Sequence, residues 1–347
     1  MTAGELVGGL SEKAANALGL PAGIAVGSPV IDAYAGWIGT VGAKVNMREE
    51  YLTKEAATNT VRSAFTRLAA VAGTSTCHLA MSEKPVFVHG VWGPYKDVLV
   101  PDYWMAEGGQ SATGELLKHV LETHPAFQEA MSVAETFNAN IYDYLNEHLR
   151  EMQDTSAAPS ISYLGRHIFF YGDLFGNRSP IADPNMRGSV IGLSNDRSVD
   201  NLALTYYSCL EFIALQTRQI VEAMNESGHI ISSIFMSGSQ CQNPILMELI
   251  ATACSMPVLI PRYVHAAVVH GAAMLGAKAA STDKEGRSEG LWSIMDRMSK
   301  PGKAVYPMKD PGEKKLLEAK YKVFLKQCEE QQQYRKDIDE VVKDWKR

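Results

Sequence analysis

The sequence predicts a mixed α/β fold, because buried strands alternate with helices along most of its 347 residues. The stretch Val71–Ser82 has apolar residues on both sides of a Gly-Thr-Ser-Thr turn, which is the pattern of two strands joined by a tight connection. Two further apolar runs, Ile230–Phe235 and Val258–Ile260, are each followed by a helical pattern. An apolar fraction of 46% and a charged fraction of 21% are typical of a globular protein that buries a core.

The N-terminal segment is predicted to contain two helices separated by a strand. Ser11–Gly19 has a serine at the N-cap position and a closing glycine, which indicates a short helix. Ile24–Ile31 is predicted as a buried strand that ends before Asp32, and Ala33–Gly42 as a glycine-rich helix. The charged segment Met47–Arg67 is predicted as a surface insertion or short helix.

The middle of the chain is predicted to continue the sheet. Val86–Val88 and Gly93–Val100 have the pattern of further antiparallel strands. At Tyr103–Ser111 a strand is expected to give way through glycines to a helix over Ala112–Leu121.

Most of the remaining chain is predicted as helix. Pro244 is placed at a helix start, where its missing N–H costs no hydrogen bond. The charged tail is expected to pack one face on the body of the protein. The aromatic segment Tyr163–Pro180 is predicted as an irregular loop. The helices are predicted over Ala126–Met152, Ser198–Asn225, Ile245–Cys254, Val264–Ala280 and Pro311–Arg347.

Several polar and aromatic residues are expected to have a structural role. In the loop Tyr163–Pro180, a buried structural pair is favoured over a catalytic role for Asp173, Asn177 and Arg178. The tryptophans Trp37, Trp92 and Trp104 are expected to lie in the core.

Charge and cysteine content argue against several classes of protein. The net charge of −6 and the scattered basic residues argue against a nucleic-acid surface. Five widely spaced cysteines predict reduced thiols and a cytoplasmic protein rather than a disulfide framework. The absence of a C-x-x-C pair argues against a zinc site. The apolar stretch Ala22–Ala43 contains Pro29, Asp32 and glycines, which predicts a packed α/β segment and not a membrane span.

Two short segments have residues that could take part in chemistry. The amides and hydroxyls of Gly73, Thr74 and Ser75 would suit phosphate oxygens, although a plain hairpin turn has the same pattern. A carboxylate at a strand end, as at Asp32, would suit a general base, although an aspartate that caps a helix has the same pattern. From these residues alone, the plain turn and the helix cap are the favoured interpretations.

Five motifs occur along the chain in this order: I-D-A-Y-A-G from Ile31, G-T-S-T-C-H from Gly73, E-G-G-Q-S from Glu107, G-N-R-S-P from Gly176 and S-G-S-Q-C-Q-N-P from Ser237. Together they resemble the FGGY family of carbohydrate kinases, which belongs to the actin/hexokinase superfamily. The runs V-F-V-H-G-V-W-G-P-Y from Val86 and M-S-K-P-G-K from Met298 resemble the eukaryotic D-ribulokinase-like branch. The resemblance covers nearly the whole chain.

The resemblance implies a role for four of these motifs. Asp32 resembles the catalytic base, which would accept the proton of a sugar hydroxyl as the γ-phosphoryl group arrives. The turn of Gly73, Thr74 and Ser75 resembles the loop that holds the ATP phosphates. The family usually has Gly-Gly in the adenosine loop, where Ser239 here replaces the second glycine. Gly109 and Gln110, in a second glycine turn, are also implied to lie at the nucleotide, although an ordinary strand–helix turn is an equal alternative. Gly238 and Asn243 are implied to lie in the adenosine loop, where Asn243 could equally be a helix cap.

The resemblance also implies the fold, the cofactors and the substrate. It implies an actin/hexokinase-like, ribonuclease H-like ATPase fold, with ATP and Mg²⁺ as cofactors and D-ribulose, a related ketopentose or a pentitol as the acceptor. Residues 1–45 resemble the end of the sugar-binding N-terminal lobe, residues 46–290 the nucleotide-binding C-terminal lobe, and residues 291–347 a charged helical tail. Because family members have a complete N-terminal lobe, we expect a shortened chain that lacks the magnesium-side aspartate and most sugar contacts. A homodimer is compatible with the sequence, whereas no nucleic-acid or membrane partner is expected.

Two other functions stay open at this point. The chain could be a nucleotide-binding module without catalysis that regulates the full-length kinase, or a poorly folded fragment whose apolar faces are exposed. Nucleotide binding that ignores sugar would favour the first, and aggregation without a cooperative thermal transition would favour the second.

Overall fold

The computed structural model describes residues 1–44, 46–58 and 60–346, which form two compact units. The first unit comprises Met1–Gly109, Val221–Cys241 and Met256–Val305. The second unit comprises Gln110–Ile220, Gln242–Ser255 and the segment from Tyr306 onward. The predicted boundary at residue 45 falls on Val45, outside the described residues, and the division at 45 and 290 stays a prediction.

The chain alternates strands and helices, as the pattern of apolar runs predicts. The strands are β1 (Leu6–Gly9), β2 (Ala25–Gly27), β3 (Arg67–Ala72), β4 (Thr76–Ser82), β5 (Trp92–Lys96), β6 (Trp104–Gln110), β7 (Phe169–Tyr171), β8 (Ser189–Ile191), β9 (Ser233–Ser237), β10 (Val258–Ile260) and β11 (Lys303–Val305). The helices are α1 (Glu12–Leu18), α2 (Asp32–Val41), α3 (Gly114–Thr123), α4 (Phe127–Thr136), α5 (Ile141–Ser156), α6 (Ile161–Leu164), α7 (Val199–Glu226), α8 (Pro244–Cys254), α9 (Ala267–Ala280), α10 (Leu291–Met298) and α11 (Pro311–Val342). Short 3₁₀ helices lie at Glu49–Tyr51, Val61–Thr66, Ser239–Gln242 and Lys343–Lys346.

The first unit is built on a mixed sheet with the strand order β11-β10-β9-β3-β4-β6-β5. Strand β3 pairs in parallel with β9 and antiparallel with β4, so the sheet changes direction at the hairpin predicted over Val71–Ser82. Strands β9 and β10 are also parallel, and each is followed by a helix. Trp37 and Ile38 of α2 are fully buried in the same apolar cluster as Leu79 and Phe235 of the sheet. The mixed α/β class is therefore confirmed.

Helices α2 and α9 cross at a contact that only glycine permits. A Cβ added at Gly39 would lie 1.9 Å from the carbonyl oxygen of Ala267. A Cβ added at Gly271 would lie 1.9 Å from the carbonyl oxygen of Ala35. Since both contacts are with backbone, the two helices can approach this closely only while both positions lack a side chain.

A half-buried arginine holds the C-terminal end of α2. Arg67 donates from Nη1 to the carbonyl oxygen of Val41 at 2.6 Å. Its guanidinium carbon lies 4.9 Å from the ring centre of Phe235 and 5.6 Å from that of Trp292. Burial lowers the pKa of Arg67 to about 10, so the side chain keeps its charge at neutral pH. The cation satisfies a helix-end carbonyl that would otherwise have no helical partner.

The second unit is organised around α7 and the first half of α11. Tyr171 of β7 and Phe212 of α7 are fully buried and have their ring centres 5.6 Å apart. Lys320 of α11 forms a buried ion pair with Glu211 of α7 at 2.8 Å and also donates to the carbonyl oxygens of Gly165 and Ile168. The charged tail therefore packs one face on its unit, as predicted.

The polar loop after β7 contains a buried hydrogen-bonded cluster. The carboxylate of Asp173 accepts hydrogen bonds from Tyr171, Asn177 and Gln216 at 2.7 to 2.8 Å. Asp173 and Asn177 are both buried. This geometry confirms a structural pair at Asp173 and Asn177.

Local signals predict several elements correctly. Ser11 caps α1 through its side chain, and Gly19 closes the helix with a positive φ of 67°. Pro244 begins α8 and Ser255 closes it in the left-handed region. Helix α7 begins and ends within one residue of the prediction.

Other predictions about local structure are wrong. Only Ala25–Gly27 of the predicted strand Ile24–Ile31 forms a strand. None of these three residues is buried, because β2 pairs with β1 alone. Val86–Val88 has no regular secondary structure. Trp92 is 54% exposed because it lies on β5 at the edge of the sheet, whereas Trp37 is buried and Trp104 is half-buried.

We predict that the protein becomes less stable in acid because of His229, which follows α7. It is buried, and neither ring nitrogen has a hydrogen-bond partner among the described residues. Burial lowers the pKa of His229 to about 4 from the ordinary 6.5. The unfolded chain therefore binds more protons between these pH values, and stability falls as the pH drops from about 6.5 towards 4, by up to about 3 kcal/mol.

The measurement is the free energy of unfolding between pH 7 and pH 4 for wild type, His229→Leu and the control His119→Leu, whose histidine is exposed on α3. We expect a flatter pH dependence for His229→Leu alone. Equal slopes in all three proteins would contradict this assignment of the acid sensitivity.

Candidate functional site

The hairpin between β3 and β4 presents an open polar turn. Gly73 and Thr74 are exposed and Ser75 is half-buried. The Gly73 N–H donates to the Ser75 carbonyl at 2.9 Å, which closes the turn. The hydroxyls of Thr74 and Ser75 form no hydrogen bond within the described part of the chain, and a Cβ at Gly73 would meet only open space. This turn thus has polar groups and room for a ligand.

The loop after β9 lies directly against this turn. Gly238 has a positive φ of 99°, and a Cβ there would lie 2.0 Å from the carbonyl oxygen of Ala72. The Gln240 side chain donates to the Gly73 carbonyl at 2.7 Å. The parallel register of Val71 with Ser237 extends to this point and brings Gly73 and Gly238 to the same end of the sheet. Ser239 is exposed and begins a 3₁₀ helix.

Asp32 is the first residue of α2 and is exposed. Its Oδ1 accepts the N–H of Ala33 at 2.7 Å, whereas Oδ2 accepts no hydrogen bond within the described part of the chain. The backbone of Ala33 thus holds one carboxylate oxygen of Asp32, and the other oxygen is available to a ligand.

The position of α2 brings Asp32 towards the turn. Thr40 of α2 hydrogen-bonds to Ser237 of β9 at 3.0 Å, and Gly36 packs against Val71 of β3. Asp32 lies one helical turn, about 6 Å along the axis, before Gly36. Gly73 lies two residues beyond Val71. Asp32 and the turn are therefore both close to the contact between α2 and the C-terminal end of β3.

Tyr34, two residues after Asp32, is buried next to charged and aromatic groups. Burial raises the pKa of Tyr34, and the Glu107 carboxylate and the Tyr95 phenol raise it further. The Tyr34 phenol therefore stays protonated at neutral pH.

Gly109 and Gln110 do not form the glycine turn that the sequence predicts. Strand β6 continues through both residues, which are buried, and the next helix begins at Gly114 rather than Ala112. Gln110 donates from Nε2 to the Ile213 carbonyl at 3.0 Å. In the sheet order, β6 is two strands from β3, about 10 Å away. Pairing within the sheet has overridden the turn signal of two glycines.

Asn243 is the N-cap of α8. Its Oδ1 accepts the N–H of Leu246 at 3.2 Å, and its Nδ2 donates to the hydroxyl of Tyr206 at 2.6 Å. Asn146 of α5 also hydrogen-bonds to Asn243, at 3.4 Å. The helix-cap interpretation is therefore confirmed, and Asn243 is half-buried.

The predicted site residues fall into two sets. Asp32, the turn of Gly73, Thr74 and Ser75, and Gly238 lie at one end of β3 and β9 in the first unit, which also contains Gly109. Gln110 and Asn243 belong to the second unit. Sequence reasoning missed Gln240, Tyr206 and Asn146, which contact predicted site residues. Glutamine, tyrosine and asparagine in these positions have no local signature, because their partners are distant in sequence.

The described residues contain no group of three or more His, Cys, Asp or Glu side chains placed to hold a metal ion. Among the same residues, no helix is both long and apolar enough to cross a membrane.

Comparison with known proteins identifies the family. Residues 68–280 match the C-terminal domain of the FGGY family of carbohydrate kinases. The chain belongs to this family. It is 53% identical over 284 residues to the D-ribulokinase of Saccharomyces cerevisiae, covering 82% of this chain and 40% of the relative. It is 41% identical to the human FGGY carbohydrate kinase domain-containing protein over 94% of this chain and 56% of the relative. The FGGY chain described here thus spans about half the length of these relatives.

A solved sugar-kinase structure shows the same fold. The xylulose kinase from Rhodospirillum rubrum superimposes with a TM-score of 0.67 at 18% identity, over 96% of this chain and 57% of that one. The predicted actin/hexokinase-like α/β class, with a mixed sheet flanked by helices, is therefore confirmed.

Proposed function

We propose that this FGGY chain takes part in the ATP-dependent phosphorylation of a carbohydrate hydroxyl, with D-ribulose, a related ketopentose or a pentitol as acceptor. The observation that supports this most is the shared position of Asp32, the Gly73–Ser75 turn and Gly238 at one end of β3 and β9. Similarity to a D-ribulokinase supports the choice of acceptor. The match over residues 68–280 supports a nucleotide-binding lobe within residues 46–290.

Each residue has a distinct part in this proposal. Asp32 accepts the proton of the attacking hydroxyl at its free oxygen, while the bond from Ala33 fixes the other. Thr74 and Ser75 donate hydroxyl hydrogen bonds to phosphate oxygens, which approach closely because Gly73 has no side chain. Gly238 and Asn243 are each proposed as an adenosine contact because of their place in the family's adenosine-loop motif.

Mg²⁺ is proposed to arrive on the nucleotide. Magnesium in phosphoryl-transfer sites is commonly held by one or two carboxylates and by phosphate oxygens, where it offsets their charge.

The test is ADP release by the purified chain with Mg·ATP, with and without D-ribulose, together with calorimetry of ADP binding. Sugar-dependent release would support the kinase function. ADP binding without sugar-dependent release would instead favour the non-catalytic nucleotide-binding module. Absence of both binding and a cooperative thermal transition would favour the fragment and overturn the proposal.

We also propose a homodimer in which two copies pair through the end of α11. Tyr334, Ile338, Val341 and Trp345 are 60% to 80% exposed and recur at intervals of four, three and four residues. Tyr334, Ile338 and Val341 lie on α11, where this spacing places them on one helical face, as in a coiled coil, and Trp345 follows in the 3₁₀ helix after it. They offer on the order of 500 Å² per chain, which is at the low end for a specific interface, so we expect a weak dimer that forms as the protein concentration rises.

Light scattering over a concentration series would test this assembly. We expect Ile338→Glu to remain monomeric at concentrations where wild type and the control Leu193→Glu, at an exposed loop leucine, dimerise. A monomeric wild type at high concentration would contradict the dimer.

The five cysteines are free thiols, which supports a proposed location in the cytoplasm.

A further inference from the structure

Asn243 belongs to a closed ring of hydrogen bonds among three side chains of the second unit. The Asn243 Nδ2 lies 2.6 Å from the Tyr206 hydroxyl, which lies 3.2 Å from Oδ1 of Asn146. The Nδ2 of Asn146 returns to Oδ1 of Asn243 at 3.4 Å. The three residues come from α8, α7 and α5, so the ring links three helices.

The ring determines which way the Asn243 amide points. The Leu246 N–H can only donate, so the atom that faces it at 3.2 Å must be the amide oxygen. Nδ2 therefore faces Tyr206. Burial raises the pKa of Tyr206, so its phenol stays protonated, accepts from Asn243 and donates to Asn146. A flipped amide would place Nδ2 against the donors of Leu246 and Asn146.

One hydrogen of the Asn243 amide remains for a ligand. Nδ2 has two hydrogens, and only Tyr206 accepts one of them within the described part of the chain. Asn243 is half-buried, whereas Tyr206 is fully buried and Asn146 is 3% exposed. Among these three residues, a contact with a nucleotide therefore falls to Asn243, and the other two act through it.

We propose that Tyr206 and Asn146 are positioning residues that aim an N–H of Asn243 at a hydrogen-bond acceptor of adenosine, a ring nitrogen or a ribose oxygen. This inference rests on the proposed nucleotide-binding function. Without the Tyr206 hydroxyl, the Asn243 amide is held only at its oxygen, by Leu246 and Asn146. Nδ2 is then less firmly oriented and presents its donor in only part of the population.

The test is a double-mutant cycle on ADP affinity measured by calorimetry. We expect Tyr206→Phe to weaken ADP binding about three- to tenfold, the range for one lost hydrogen bond. In an Asn243→Ala background the same substitution should have no further effect, because Tyr206 acts through Asn243. Tyr207→Phe is the matched control, since Tyr207 is the adjacent, fully buried tyrosine and lies outside the ring.

Asn146→Ala provides a second variant, and thermal melts identify any protein that fails to fold. Equal ADP affinity in wild type, Tyr206→Phe and Asn146→Ala would overturn the inference. Additive losses in the Asn243→Ala background would also overturn it, because they indicate a general structural effect. If wild type itself does not bind ADP, the proposed function fails first, and the inference fails with it.

Discussion

Replacing Asp32 by asparagine is expected to lower sugar-dependent ADP release by about 10²- to 10⁴-fold, the range for loss of a general base. Asparagine keeps an oxygen that can accept the Ala33 N–H, so the start of α2 should be preserved. It cannot take a proton from a hydroxyl. The loss should therefore appear in kcat, while the affinity for ADP stays unchanged.

The matched control is Glu12→Gln, which neutralises an exposed acid at the first position of α1 in the same unit. We expect this variant to retain the wild-type rate. If Asp32→Asn also retained the rate, the Asp32 carboxylate would be no more than part of the helix start.

Replacing Gly271 by alanine is expected to destabilise the protein by about 3 kcal/mol or more. The new Cβ would lie 1.9 Å from the Ala35 carbonyl oxygen, and this atom belongs to the backbone of α2 and cannot rotate away. The two helices would have to separate. Asp32 is the first residue of α2, so a shift of this helix also moves Asp32. We therefore also expect lower sugar-dependent ADP release from any variant protein that folds.

Gly276→Ala, five residues later on α9, is the control for this prediction. No atom lies within 4 Å of its added Cβ, so the substitution should stabilise the helix by about 0.4–1 kcal/mol. Chemical denaturation of both variants measures the two effects. A Gly271→Ala protein as stable as Gly276→Ala would contradict the close crossing of α2 and α9.

Local chemistry explains which parts of the fold were predictable. The N-caps Ser11 and Asn243, the proline at the start of α8 and the closing Gly19 each satisfy or end a helix with groups a few residues away. The strand, turn and strand around Gly73 likewise depend on near neighbours. These elements are found where the sequence predicts them.

The errors arise where distant partners decide the structure. Two glycines at the end of β6 indicate a turn, but neighbouring strands keep Gly109 and Gln110 in the sheet. The apolar run before Asp32 indicates a buried strand, but β2 has only β1 to pair with and remains partly exposed. The spacing of apolar residues indicates how apolar a segment is, but it does not indicate which elements pack against that segment.

The candidate site divides in the same way. The sequence by itself determined the α/β class, the helix ends, the polar turn at Gly73 and the motifs of the FGGY family, because each depends on residues close together in the chain. The tertiary structure alone decided the crossing of α2 and α9, the approach of Gly238 to Ala72 and the ring that orients Asn243. These contacts join residues far apart in sequence, so their geometry exists only once the chain has packed.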